Sequence, residues 1–192
     1  LLKSFPGFNR YSSGEFTFMS HSRQIALGLA IAGALLGVPT LATAQVCGTA
    51  EETVLVAGQN FDAGQVTISN DASNLYVRYN AASPWVISDT HVAVASTLSG
   101  IPQTKAGNPI PGRFAYSGSF DPEVTTDTVA VPMAGTYSSG QTVYIAAHAQ
   151  VQAPKANGGA QTGWGYGPDF PGPNWATYIK YTIQSCNGGG ID

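Results

Sequence analysis

The sequence predicts an all-β protein, a single antiparallel β-sandwich of about seven to nine strands with long Gly/Pro-rich loops. Three observations predict it. Short runs rich in β-branched residues recur along the chain and are separated by turn residues. No stretch beyond the N-terminal apolar run shows the period of an amphipathic helix. Charged residues make up only 10% of the chain, with Gly, Thr, Ser and Asn abundant in their place. A barrel is the alternative that the same pattern allows, and no internal repeat at a fixed period is visible.

Taken in order, Thr53–Ala57 is the first apolar run. Gln65–Ser69 alternates, with Val66 and Ile68 on one face, and Leu75–Tyr79 returns with Leu75, Val77 and Tyr79 together. The polar stretch Asn70-Asp71-Ala72-Ser73-Asn74 between them predicts a hairpin turn. Trp85–Ala95 is long for a strand. Strict alternation puts Trp85, Ile87, Asp89, His91 and Ala93 on one face. Leu98–Pro111 is a Pro/Gly-rich connection and Arg113–Tyr116 a short edge segment. Asp121-Pro122 is a turn, and Asp127–Val131 is a strand stopped by Pro132. Thr142–Val151 carries Val143, Ile145, Ala147, Ala149 and Val151 on one face, and Tyr144, Ala146 and His148 on the other. Ala153–Asn174 is a long loop. Trp175–Gln184 is the last strand, with Trp175, Thr177, Ile179, Tyr181 and Ile183 together. The two long apolar runs, Trp85–Ala95 and Thr142–Val151, are expected to be interior strands, each paired on both sides.

The N-terminal segment reads as an export signal. Met19 opens it, Arg23 lies in the n-region, Ile25–Val38 is apolar or glycine, and Ala42-Thr43-Ala44 supplies small residues at a cleavage site. The apolar run is shorter than the about 20 residues that span a bilayer. Residues 1–18 are expected to be translated upstream sequence, because Gly14-Glu15 can be encoded by a ribosome-binding sequence just before Met19. The organisation expected is therefore 1–18 upstream, 19–44 signal peptide, and 45–192 one β-sandwich domain. The export signal leads to the expectation of a protein secreted outside the cell or into the periplasm.

Residues 45–192 hold five basic side chains, Arg78, Lys105, Arg113, Lys155 and Lys180, against ten acidic ones, a formal charge of −5. That balance argues against nucleic acid and anionic membrane surfaces as partners. Cys47 and Cys186 lie near the two ends of the domain. In an oxidising compartment they are expected to form one disulfide. Gln45-Val46 between the cleavage point and Cys47 exclude a lipoprotein anchor there.

Several stretches resemble a family of extracellular β-sandwich modules in exported bacterial proteins. They include Val56-Ala57-Gly58-Gln59, Gly64-Gln65-Val66-Thr67-Ile68-Ser69-Asn70 and Asn74-Leu75-Tyr76-Val77-Arg78-Tyr79. They continue with Trp85 followed by Asp89-Thr90-His91, and with Gly107-Asn108-Pro109-Ile110-Pro111-Gly112. The last are Tyr144-Ile145-Ala146-Ala147-His148-Ala149, and Trp164-Gly165 followed by Asn174-Trp175-Ala176-Thr177-Tyr178. The resemblance covers nearly all of Cys47–Gln184. It implies fold and export, and it carries over no catalytic residue.

Three groups of residues are candidates for chemistry. Asp89, His91 and His148 form a metal-ligand set if sheet pairing brings them together, since imidazole and carboxylate bind zinc and similar ions. The alternative is a structural pair in which Asp89 holds His91. Trp164 and Tyr166 stand in a glycine-flanked loop, where exposed rings would stack on the apolar face of a sugar. The alternative is that Trp164 folds back as a plug. Asp62, Asn70, Asp71 and Asn74 offer oxygen ligands to calcium, but their spacing fits no calcium-loop signature and such residues also make turns. No Gly-x-Ser-x-Gly elbow or His-Glu-x-x-His motif is present. The function expected is a secreted, non-catalytic binding or matrix module for a polysaccharide or another surface protein. It needs no cofactor unless a divalent metal occupies the histidine set. A metal-binding protein or metal-dependent enzyme built on Asp89, His91 and His148 and a purely structural module are the alternatives.

Overall fold

The computed structural model describes residues 45–186. The expected upstream segment and signal peptide lie outside the described residues. Among the described residues nine strands form: β1 Cys47–Ala57, β2 Phe61–Asn70, β3 Asn74–Ala81, β4 Val86–Ala95, β5 Tyr116–Val124, β6 Thr126–Pro132, β7 Thr142–Gln152, β8 Ala160–Gly165 and β9 Ile179–Thr182. The class is all-β and every pairing is antiparallel.

The expected pair of stacked sheets gives way to one continuous ladder. Its order is β5-β4-β7-β8-β1-β2-β3-β6, with β9 also paired to β7. The β9 strand takes the first half of one edge of β7, Thr142–Ile145, and β8 takes the second half from His148. The two ends of the ladder, β5 and β6, come back beside each other, so the sheet is rolled into a nearly closed barrel. Closure hides most strand edges, which is how a single large sheet escapes edge-to-edge association. Pro122 sits in β5, which pairs only with β4, so its missing donor costs no ladder bond. Beside the seam, the Thr90 hydroxyl donates to the Asp127 carboxylate at 2.7 Å and ties β4 to β6.

Inward-facing residues fill the barrel. Leu55, Val66, Ile68, Val77, Tyr79, Ile145, Val151 and Tyr181 belong to one buried cluster. A second buried cluster lies outside the barrel wall. There Ala93 of β4, Ala146 of β7 and Trp164 of β8 are covered by Ile101, Phe114, Phe170, Ala176 and Tyr178 from two long loops. Strands β4 and β7 are therefore covered on both faces where the loops pack, which explains the continuous apolar stretches Val92–Ala95 and Val143–Ala147 within them. Each is paired on both sides, as expected of interior strands.

The disulfide joins Cys47 to Cys186 across a separation of 139 residues. Among the described residues no helix is long and apolar enough to cross a membrane.

Four local features differ from the pattern in the sequence. Ser88 is an extra residue in β4: Ile87 pairs with Val151 but Asp89 pairs with Gln150. This β-bulge turns the second half of the strand over. Trp85 and Ile87 thus belong to the barrel core, whereas Asp89, His91 and Ala93 lie on the outer side with His148 and Ala146. The segment expected to turn at Asp121-Pro122 runs on as β5. The long loop expected over Ala153–Asn174 contains β8. The last strand begins at Ile179 instead of Trp175, because Trp175, Ala176 and Tyr178 pack on the outer cluster and Thr177 forms an isolated bridge with Asp169.

Candidate functional site

The outer cluster is built on the β4–β7–β8 ladder. His91 stands directly opposite His148, and His148 directly opposite Trp164. The two imidazole centres are 5.4 Å apart with their planes at 58°. Trp164 meets His148 edge-on at 4.8 Å. Beyond it the rings continue, Trp164 to Phe114 at 6.5 Å, Trp164 to Phe170 at 6.4 Å, and Phe170 to Tyr178 at 5.4 Å. This aromatic chain fastens the two long loops to the barrel wall. The loops are also joined to each other, since the Asn174 amide donates to the Asn108 side-chain oxygen at 3.1 Å.

Trp164 is therefore a plug, only 4% exposed, and offers no platform to a sugar. The reason lies in β8. Gly163 and Gly165 flank the tryptophan on the opposite face, and with no side chains there the strand lies close against Leu55 and Ile179. That face is fixed inward and the indole is directed into the outer cluster.

The sequence brings Asp89, His91 and His148 to one side of the sheet, as the metal reading requires. Asp89 does not hold His91, however. Its carboxylate accepts from the Ser88 hydroxyl at 2.9 Å and the Ser119 hydroxyl at 2.8 Å. The Nδ1 atoms of His91 and His148 are both buried, and among the described residues neither has a hydrogen-bond partner. Burial, reinforced by His91 and partly opposed by Asp89, pushes the His148 imidazole down to about 4. Among the described residues, no three His, Cys, Asp or Glu side chains converge to hold a metal ion.

The oxygen-bearing residues near the β2–β3 hairpin have structural partners. Asp71 accepts from the Ser73 and Asn74 amides at 2.7 and 2.6 Å and from the Tyr76 hydroxyl at 2.6 Å. Burial alone would raise the Asp71 carboxyl, but these donors outweigh it and hold the group below its usual range. Asp62 accepts from the Gly64 amide, and Asn70 is bonded to Tyr181 and Gln184. Each bond closes the turn or anchors a strand end.

Tyr166 has a different setting from Trp164. Its amide donates to the Val54 carbonyl at 2.8 Å and its own carbonyl accepts from the Thr53 hydroxyl at 2.9 Å. The backbone is thus held against β1 while the side chain is 64% exposed. Gly167 follows because any Cβ there would overlap the Tyr178 carbonyl oxygen. Residues 168–178 fold back on themselves, with Phe170 and Ala176 bonded at 2.9 Å and Tyr178 and Pro168 at 3.0 Å. This return brings Trp175 to the same hollow as Tyr166. The hollow has a volume of about 220 Å³ and is lined by Val56, Gln59, Tyr166, Asp169, Trp175 and Thr177. Thr177 is fixed by its hydroxyl bond to the Gly165 carbonyl at 2.8 Å. Two rings, one exposed and one half-buried, thus share a groove with an exposed carboxylate and an exposed amide.

Of the groove residues, sequence reasoning identifies Tyr166, sets Trp175 aside as a core residue because it shares a strand face with Ile179, and misses Asp169 and Gln59. The only signal for Trp175 is its place just after the Gly/Pro-rich stretch, which strand alternation overrides. No protein-family model matches this chain, and no curated protein or solved structure was found to match it.

Proposed function

We propose that this chain is an exported, non-catalytic binding module whose Tyr166–Trp175 groove takes a sugar ring of an extracellular polysaccharide. The observation that carries the reading is the shared lining of one small groove by two aromatic rings and two exposed polar side chains. A sugar has an apolar ring face, which packs on an aromatic surface, and a polar edge, which needs hydrogen-bond partners. Tyr166 and Trp175 supply the first, and Asp169 and Gln59 the second. At about 220 Å³ the groove is smaller than the roughly 300–1,000 Å³ of drug-sized ligand sites, so it suits one ring of a chain that continues along the surface. A backbone pinned on both sides of Tyr166 keeps the platform in place before the ligand arrives, which lowers the cost of ordering it. The Cys47–Cys186 disulfide supports an oxidising compartment and so export.

Retention on immobilised polysaccharides, compared between the wild type and Tyr166→Ala, tests the reading. The wild type should be retained by at least one polysaccharide and the variant released earlier. Equal retention of both would remove the groove as the site. Capture of the wild type only by cell-surface protein would replace polysaccharide with a protein partner.

A further inference from the structure

The histidine pair on the outer face of β4 and β7 takes no part in the groove. We propose that His91 and His148 hold one copper(I) ion between them. The two residues are directly opposite on paired strands, with ring centres 5.4 Å apart. Each presents a buried Nδ1 that no group among the described residues satisfies, and His148 as a whole is only 4% exposed. A buried polar atom left without a partner costs about 1–3 kcal/mol, and here two such atoms belong to neighbouring side chains. A single cation that accepts a lone pair from each nitrogen removes both penalties. Metal–imidazole bonds are about 2 Å long, so one ion bridges nitrogens about 4 Å apart. Two imidazoles aimed at one ion along a straight line would have ring centres about 6 Å apart, so centres at 5.4 Å hold the ion at a bent N–metal–N angle or after a shift of roughly half an ångström.

The number and kind of donors select the ion. Zinc completes four ligands, and calcium takes six or more oxygens. Among the described residues no third His, Cys, Asp or Glu converges on the pair. The nearest carboxylate on this face, Asp89, already receives Ser88 and Ser119 hydroxyl bonds on its two oxygens. Copper(I) has a closed d shell, which imposes no fixed angle, and is satisfied by as few as two nitrogens. Its single charge also costs less to bury than a double one. The surroundings are apolar, with Trp164 against His148 and Phe114 and Phe170 behind the indole. Such walls limit the access of water and of further ligands to the ion.

The test uses the full chain without a histidine tag, under anaerobic conditions, with ascorbate as reductant. Competition with the coloured copper(I)–bicinchoninate complex should show the protein withdrawing one equivalent of copper. His91→Phe and His148→Phe should withdraw none. X-ray absorption of the copper-loaded wild type should give a two-coordinate nitrogen environment. Should His148→Phe not fold, His91→Phe at its half-buried position and the wild-type spectrum still decide. No copper withdrawn by the wild type, equal uptake by the variants, a four-coordinate spectrum, or preferential binding of zinc at the pair would each overturn the proposal.

Discussion

The hydroxyl of Tyr79, inside the barrel, donates to the carbonyl oxygen of His148 at 3.1 Å. The same hydroxyl lies 3.4 Å from the carbonyl oxygen of His91. One phenol thus ties the β3 side of the core to the two strands whose outer faces carry the histidine pair. Burial, with the Asp127 carboxylate adding to it, raises the phenol well above its ordinary value, so it stays a donor throughout the working pH range. Tyr79→Phe keeps the ring and removes only these bonds. It should lower stability by about 1 kcal/mol in urea denaturation with little change in the slope. An unchanged midpoint would mean that the hydroxyl does not brace the strands.

The histidine pair also gives stability a defined pH dependence. His148 falls from 6.5 to about 4 on folding, so between these values the unfolded chain binds more protons than the folded one. Stability from this group is therefore fully present above pH 6.5 and is lost as pH falls toward 4. The shift corresponds to roughly 3 kcal/mol. Asp71, held low in the fold, acts in a lower window, below its unfolded value of 3.8. Denaturation midpoints measured from pH 7.5 to 4.5 should fall for the wild type and fall less for His148→Phe. Parallel curves for the two proteins would show that His148 is not the group responsible.

The disulfide spans 139 residues and links the start of β1 to the segment after β9. In the loop-entropy account, closing so long a loop is worth about 4–5 kcal/mol. Replacing both cysteines by serine should lower the melting temperature substantially, and thiol labelling of the unreduced wild type should find no free cysteine. A double variant as stable as the wild type would show that the barrel closes without this link.

Trp164 and Tyr166 are two residues apart and should respond oppositely to truncation. Trp164→Ala removes the ring that fastens both loops and should cost about 3–5 kcal/mol. Tyr166→Ala removes an exposed ring and should change stability by less than about 0.5 kcal/mol. Equal losses in thermal unfolding would contradict the distinction between plug and platform.

The sequence carries much of this architecture openly. Two long apolar runs mark β4 and β7 as interior strands, because strands buried on both faces show no polar alternation. The alternation in β2, β3 and the end of the chain identifies Val66, Ile68, Val77, Tyr79, Ile179 and Tyr181 as core. Other features are invisible to pattern. The Ser88 bulge is one inserted residue with no compositional mark, yet it separates Ile87 from Asp89 and His91 by turning the strand over. The β8 strand is hidden because Gly163 and Gly165 read as loop residues, although they serve close packing against Leu55 and Ile179. Trp175 follows the alternation of β9 but lies before the pairing starts, so pattern assigns to the core a ring that helps to line the groove.

The binding role of the Tyr166–Trp175 groove is tested most directly by calorimetric titration with oligosaccharides cut from the polysaccharide that retains the protein. The wild type should bind one oligosaccharide per chain. Tyr166→Ala and Trp175→Ala should each weaken binding by at least about tenfold, the equivalent of roughly 1.4 kcal/mol, while both variants keep the wild-type melting temperature to within a few degrees. Unchanged affinity in both variants, or binding lost only together with the fold, would contradict the account.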